Sequence, residues 1–116
     1  MANRRSVRTH SPGDVVIVPF PFTDREAFKR RPALVCSSEA YNRRARHVVL
    51  AMITTAAGST WPGDVPIRDL EDAGLPAPSV VRWKLFTLDV SLILKRAGAV
   101  SRRDRAACRA AQPLAL

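Results

Sequence analysis

Residues 47–54 read HVVLAMIT, an apolar run that is almost unbroken and rich in β-branched side chains. Branching at Cβ favours extended backbone, and the run is shorter than an ordinary buried helix. A strand with so little polar alternation needs cover on both faces, which predicts a central position in a sheet. Upstream, residues 33–37 (ALVCS) and 15–20 (VVIVPF) supply two further strands, the earlier one punctuated at its start by Pro12-Gly13-Asp14. Pro19 and Pro21 lack an N–H and confine that first strand to a sheet edge or its own end there. The stretch between them, residues 21–31, is polar and charged and predicts an exposed loop. Ser38 is placed to cap a short helical turn over residues 39–44.

Downstream of the central run, residues 56–63 form a loop of small residues around Trp61. Residues 65–67 predict a short strand, residues 69–75 a helical turn ended by Gly74, and residues 79–88 a fifth strand. The end of the chain reads as helical. Residues 91–96 suit a short helix stopped by Gly98. Residues 101–112 suit a longer one, with Ser101 and Asp104 spaced as in a capping box. Five short strands and a helical end predict a mainly β (α+β) fold, a small and strongly bent sheet or barrel with short helices packed on it. The 116 residues suit one domain over residues 12–116, preceded by a flexible basic arm, residues 1–11, that carries Arg4, Arg5 and Arg8. No internal repeat or linker interrupts it.

The sign of the charge is the unusual quantity. Nineteen Lys and Arg oppose ten Asp and Glu, a formal net charge of +9. All the cations except Lys29, Lys84 and Lys95 are Arg, whose planar fork of donors matches phosphate oxygens two at a time and stacks on bases. The balance points to a polyanion, nucleic acid first. A genome rich in Arg and Ala codons would leave the same mark. Cys36 and Cys108 are too few for the disulfide framework of a small secreted fold, and with His10 and His47 they form no pair at zinc-site spacing. The polar N-terminus does not read as a signal peptide and no apolar run approaches membrane-spanning length, so a cytoplasmic protein with no membrane contact is expected.

Ionisable groups concentrate at Asp24, Arg25, Glu26, Lys29, Arg30 and Arg31. Pro32 restricts Arg31 to an extended backbone and so directs its guanidinium as the next strand begins. A solvated charged turn fits the same residues. Thr54 and Thr55 end the central run, where a hydroxyl can meet a phosphate or serve only the strand. Arg43, Arg44 and Arg46 follow the second strand beside Tyr41 and Asn42, a helical cap with its polar turn on the plainest reading. Of the aromatics, Phe20 and Phe86 suit a core, and Trp61 in its loop is the candidate for exposure and base stacking. His10 and His47 have no acid or nucleophile partner visible in sequence.

Taken in order, PGDVVIVPFPFTD, KRRPALVCSSEAYNRR, VVLAMITT and AGLPAPSVVRWKLFTLD resemble the MazF/PemK family of type II toxin–antitoxin ribonucleases, from Pro12 to about Ser101. The resemblance implies a small SH3-like barrel with helical additions, usually a homodimer. It implies cleavage of single-stranded RNA with no metal or other cofactor, and a cognate antitoxin protein that blocks the active site. Carried onto this sequence, the family pattern places catalysis on Arg31 before the Pro of the RRP turn and on Thr54 of the ITT strand end. Glu26, five residues before Arg31, matches a Glu common in the family's loop. RNA contacts are then expected from Lys29, Arg30, Thr55, Arg43, Arg44, Trp61, Arg82 and Lys84. The segment VVRWKLFTLD departs from the pattern, with Trp83 and Lys84 where many relatives carry an acidic residue or Gln, so a cleavage sequence does not transfer. A gyrase-poisoning toxin of the same fold and a catalytically silent RNA-binding relative are the alternatives.

Overall fold

In the computed structural model, which describes residues 9–20, 29–58 and 60–113, six strands form one sheet around the apolar run. The strands are β1 (Asp14–Phe20), β2 (Lys29–Val35), β3 (His47–Thr55), β4 (Val65–Pro66), β5 (Ser79–Asp89) and β6 (Lys95–Ala99). Three short helices accompany them: α1 (Glu39–Ala45), α2 (Leu70–Ala73) and α3 (Arg102–Ala111). The order across the sheet is β4-β5-β3-β2-β1-β6, and every neighbouring pair is antiparallel. The mainly β expectation therefore holds, with one strand more than expected.

The unbroken run in β3 has a direct cause, because both faces of the sheet are covered there. On one face Val48 and Leu50 pack with Val16, Val18, Ala33, Val35 and Leu88. On the other Ala51 and Ile53 pack with Val15, Leu34, Val81, Trp83 and Cys108. Burial of that many branched aliphatic side chains is the main favourable term holding the sheet together.

Two boundaries differ from the reading of the sequence. Residues 91–96 do not form a helix. A single 3-10 turn at Val90–Leu92, capped by the Asp89 carboxylate accepting from Ser91 N–H at 2.9 Å, leads into β6. Leu94 N–H donates to the Ile17 carbonyl at 2.8 Å, and Lys95 to Ala99 then pair along β1. The open edge of β1 needs hydrogen-bond partners, and that tertiary demand overrides helix propensity. The loop expected to run as far as Arg31 also ends sooner. Lys29, Arg30 and Arg31 are already in β2, opposite Phe20, Pro19 and Val18. The extended conformation that Pro32 imposes on Arg31 continues the strand. Pro19 lies past the last residue of β1 paired with β6, Ile17, so its missing N–H breaks no ladder on that side.

Gly98, read as a helix stop, turns out to be a packing residue. A Cβ there would lie 2.4 Å from the Asp72 carbonyl oxygen and 2.8 Å from the Ala73 carbonyl carbon. Glycine in a strand marks such a close approach of another backbone. Gly98→Ala is expected to destabilise the protein by at least about 2 kcal/mol, read as a fall of several degrees in Tm. A variant melting within about 1 °C of the parent would show that α2 and β6 separate freely.

The helix ends are built as the sequence suggests, with one change. Ser38 Oγ accepts from Tyr41 N–H at 3.1 Å to cap α1, and Gly74 ends α2 in the left-handed region at φ 72°. Ser101 Oγ accepts from Asp104 N–H at 3.3 Å to cap α3. The buried Asp104 carboxylate does not return to the cap residue. It accepts from Arg68 N–H at 3.0 and 3.1 Å and from Asp69 N–H at 2.9 Å, tying α3 to the start of α2. Near the N-terminus, the His10 carbonyl accepts from Asn42 Nδ2 at 2.8 Å and Ser11 N–H donates to Asp14 at 3.0 Å. The arginines at positions 4, 5 and 8 lie outside the described residues. Among the described residues no helix is long and apolar enough to cross a membrane.

Candidate active site

Alternation along the strands decides which side chains meet. On β2, Arg31 points to the same side as Ala33 and Val35. On β3 that side carries Met52 and Thr54. The β2–β3 register sets Ala33 opposite Met52, and beyond that last pair Arg31 and Thr54 line the same cavity. On β5 the same side carries Arg82, Lys84 and Phe86. The apolar cluster of this face fills only one end of it. At the other end a cavity of about 470 Å³ opens, walled by Arg31, Met52, Thr54, Arg82 and Lys84 over Phe20, Leu85 and Phe86. Arg31 and Thr54 are half-buried and Lys84 is exposed.

A bulge shapes the far wall. Met52 pairs with Arg82 but Ala51 pairs with Leu85, so β5 holds two extra residues, Trp83 and Lys84. Bulges re-aim side chains beside functional sites. Trp83 turns into the core, and its Nε1–H donates to the Gly63 carbonyl at 2.8 Å. Arg82 and Lys84 turn towards the cavity and hold the loop that precedes β4. The Arg82 guanidinium makes a two-pronged pair with the Asp64 carboxylate, Nε to Oδ1 at 3.1 Å and Nη2 to Oδ2 at 2.9 Å. The Arg82 hydrogen bonds hold the Asp64 carboxyl below the usual carboxylate range. Lys84 Nζ sits 4.4 Å from the centre of the Trp61 ring, a cation–π contact at the cavity's rim.

The structure thus brings Arg31, Thr54, Arg82 and Lys84 around one cavity, with Trp61 joined to it through Lys84. Lys29, exposed, shares Arg31's side of β2, whereas Arg30 alternates to the other side, as Thr55 does on β3. Arg43 and Arg44 are exposed on α1, which leads into the opposite end of β3 from Thr54, and they do not line the cavity. Glu26 lies outside the described residues. Met52 and Asp64 escaped the sequence reading. Met52 was findable from its two-residue spacing to Thr54, whereas nothing local to Asp64 announces a partner eighteen residues away.

The cavity wall offers two cations, one salt-bridged guanidinium apart, and a hydroxyl, the set that receives a phosphodiester. The thiols lie elsewhere. Burial pushes Cys36 up to about 12 and Cys108 up to about 11, so both are neutral and poor nucleophiles near pH 7.

This architecture has known counterparts. The Mycobacterium tuberculosis toxin MazF-mt6 is 26% identical, with a TM-score of 0.66 over 84% of this chain and 90% of that one. MazF from Deinococcus radiodurans is 24% identical, with a TM-score of 0.68 over 90% and 93%. A Mycobacterial endoribonuclease in complex with its cognate antitoxin is 18% identical, with a TM-score of 0.69 over 93% and 99%. Curated protein sequences yield no match. The family model describing the PemK-like, MazF-like toxin of type II toxin–antitoxin systems matches residues 11–114. With nearly its whole length matched, the chain belongs to the PemK-like, MazF-like toxin family of type II toxin–antitoxin systems.

Proposed function

We propose that this toxin is an endoribonuclease that cleaves single-stranded RNA without a metal and is restrained by a cognate antitoxin. The observation that carries the reading is that Arg31 and Thr54, on the adjacent strands β2 and β3, line one open cavity with Lys84. In the proposed reaction a ribose 2′-oxygen attacks the adjacent phosphorus and the bond from phosphorus to the 5′-oxygen breaks. The 2′-hydroxyl loses a proton, the departing 5′-oxygen gains one, and a 2′,3′-cyclic phosphate remains. Negative charge grows on the non-bridging oxygens at the crossing point. Arg31 is fixed by its strand to meet that charge, and Thr54 Oγ–H donates to the same phosphate. Glu26 is the proposed acceptor of the 2′-hydroxyl proton. Lys84, Lys29 and Arg30 draw the polyanion to the cavity by charge.

Support comes from the family match and from the similar fold described as an endoribonuclease bound to its cognate antitoxin. On the same reading the protein works as a homodimer in the cytoplasm. The test is incubation of the purified protein with a long transcript in EDTA, followed by mapping of the cut ends. Sequence-selective cuts bearing 5′-hydroxyl ends are expected, and an intact transcript overturns the assignment. Thr54→Val keeps the shape of the side chain and removes its donor. It is expected to slow cleavage about 10- to 100-fold, the worth of one hydrogen bond to a charged group. An unchanged rate would remove Thr54 from the mechanism.

A further inference from the structure

The loop before β4 is held by more contacts than a connection of its length requires. Trp61 and Asp64 bind one another, Trp61 N–H donating to Asp64 Oδ2 at 3.0 Å and Asp64 N–H to the Trp61 carbonyl at 3.0 Å. Asp64 is then clamped by Arg82, Gly63 by the Trp83 indole, and the Trp61 ring by Lys84. Three consecutive residues of β5, Arg82 and the two of its bulge, thus fix one short loop. The cost of fixing it is visible in Gly63, whose φ of 83° suits glycine and where a Cβ would sit tightly, 3.1 Å from Trp83 Cδ1. What this clamp presents is Trp61, a residue that stays 42% exposed beside Lys84 of the cavity wall. A tryptophan whose loop is already held loses less entropy on ordering a ligand than one on a free loop.

We propose that Trp61 is a stacking shelf for the base of a nucleotide beside the cleaved phosphate, and that Asp64, through its pair with Arg82, is the positioning residue that holds the shelf. The inference rests on the endoribonuclease reading for its ligand, single-stranded RNA. It also changes the role of Arg82. That guanidinium spends its charge on Asp64 and works as an anchor for the loop, leaving Arg31 and Lys84 to face the phosphates. Stacking is tolerant of base identity but graded by ring size, so the shelf biases cleavage towards a purine at its subsite.

The test uses binding and cutting separately. The binding probe is a random-sequence pool of single-stranded oligonucleotides about ten nucleotides long, fully 2′-O-methylated so that no 2′-hydroxyl can attack. Trp61→Ala is expected to weaken binding about 5- to 150-fold, the range of one lost base stack, and to flatten the purine bias of the mapped cuts. Trp61→Phe retains binding within about threefold. Asp64→Ala is the sharper arm, because simple electrostatics and the shelf give opposite signs. Deleting a carboxylate beside a polyanion site should tighten binding, whereas loosening the shelf weakens it. The expected result is weaker binding, with the double variant Trp61→Ala/Asp64→Ala no weaker than Trp61→Ala alone. Tighter binding by Asp64→Ala would make Arg82 a masked phosphate contact and overturn the positioning role. Undiminished binding and an unchanged cut pattern in Trp61→Ala would overturn the shelf, as would failure of the parent protein to bind the pool. Binding that depends on Trp61 without any cutting of a transcript would sink the endoribonuclease reading and leave the shelf standing.

Discussion

Replacing Arg31 by Ala is expected to reduce the rate of RNA cleavage by about 10²- to 10³-fold while the protein stays folded. The size follows from where the charge is held. Arg31 is paired in the sheet opposite Val18 of β1, and the following Pro32 keeps its backbone extended, so the guanidinium needs little reorganisation to meet a phosphorane. Its place on the wall of a half-enclosed cavity makes the interaction stronger than the same contact in open water. Single-turnover cleavage of a short RNA containing a mapped site is the measurement, with circular dichroism confirming the sheet. Arg31→Lys restores charge but not the two-pronged geometry, and should recover only part of the rate. Cleavage by Arg31→Ala within about threefold of the parent would exclude Arg31 from the chemistry.

Asp104→Ala should carry the largest stability cost, on the order of 3–5 kcal/mol. Asp104 is 1% exposed, and its carboxylate is the side-chain acceptor for the N–H groups of Arg68 and Asp69. Truncation removes the acceptor from those part-buried donors, at about 1–3 kcal/mol each, and opens a void at the buried Asp104 side chain. A domain of this size is stable by only about 5–15 kcal/mol, so the variant should lie close to unfolding. Asp104→Asn keeps an acceptor and should lose less than half as much. Urea unfolding of the three proteins measures the difference. A loss below about 1 kcal/mol for Asp104→Ala would mean that water replaces the carboxylate and that α3 is docked by its apolar face alone, through Cys108 and Ala111.

The candidate site was partly readable in advance. Arg31 is marked by the proline after it, and Thr54 by the end of the apolar run, because both signals are local. Arg82 is expected from the family pattern to contact RNA, and in the structure its guanidinium is paired with Asp64. A cation in a sequence carries no record of its counter-ion when the two are brought together only by a strand and its neighbouring loop. Arg43 and Arg44 show the same limit from the other side. Their charge suggested RNA, but the turn that carries them is attached to the end of the sheet away from the cavity.

By itself the sequence determined the elements whose stability is local or whose burial is total. HVVLAMIT had to be a covered strand, Ser38 and Ser101 had to begin helices, and Gly74 had to end one, since branching, capping and left-handed backbone act within a few residues. Only the tertiary structure decided that residues 95–99 are a strand, that Gly98 meets Asp72, and that Asp104 serves another helix. The meeting of Arg31 and Thr54 at one cavity is of this second kind. Each depends on a register or a contact between segments far apart in the chain. There the demand of one element's unpaired backbone or open edge outweighs the weak preference of the residues that satisfy it.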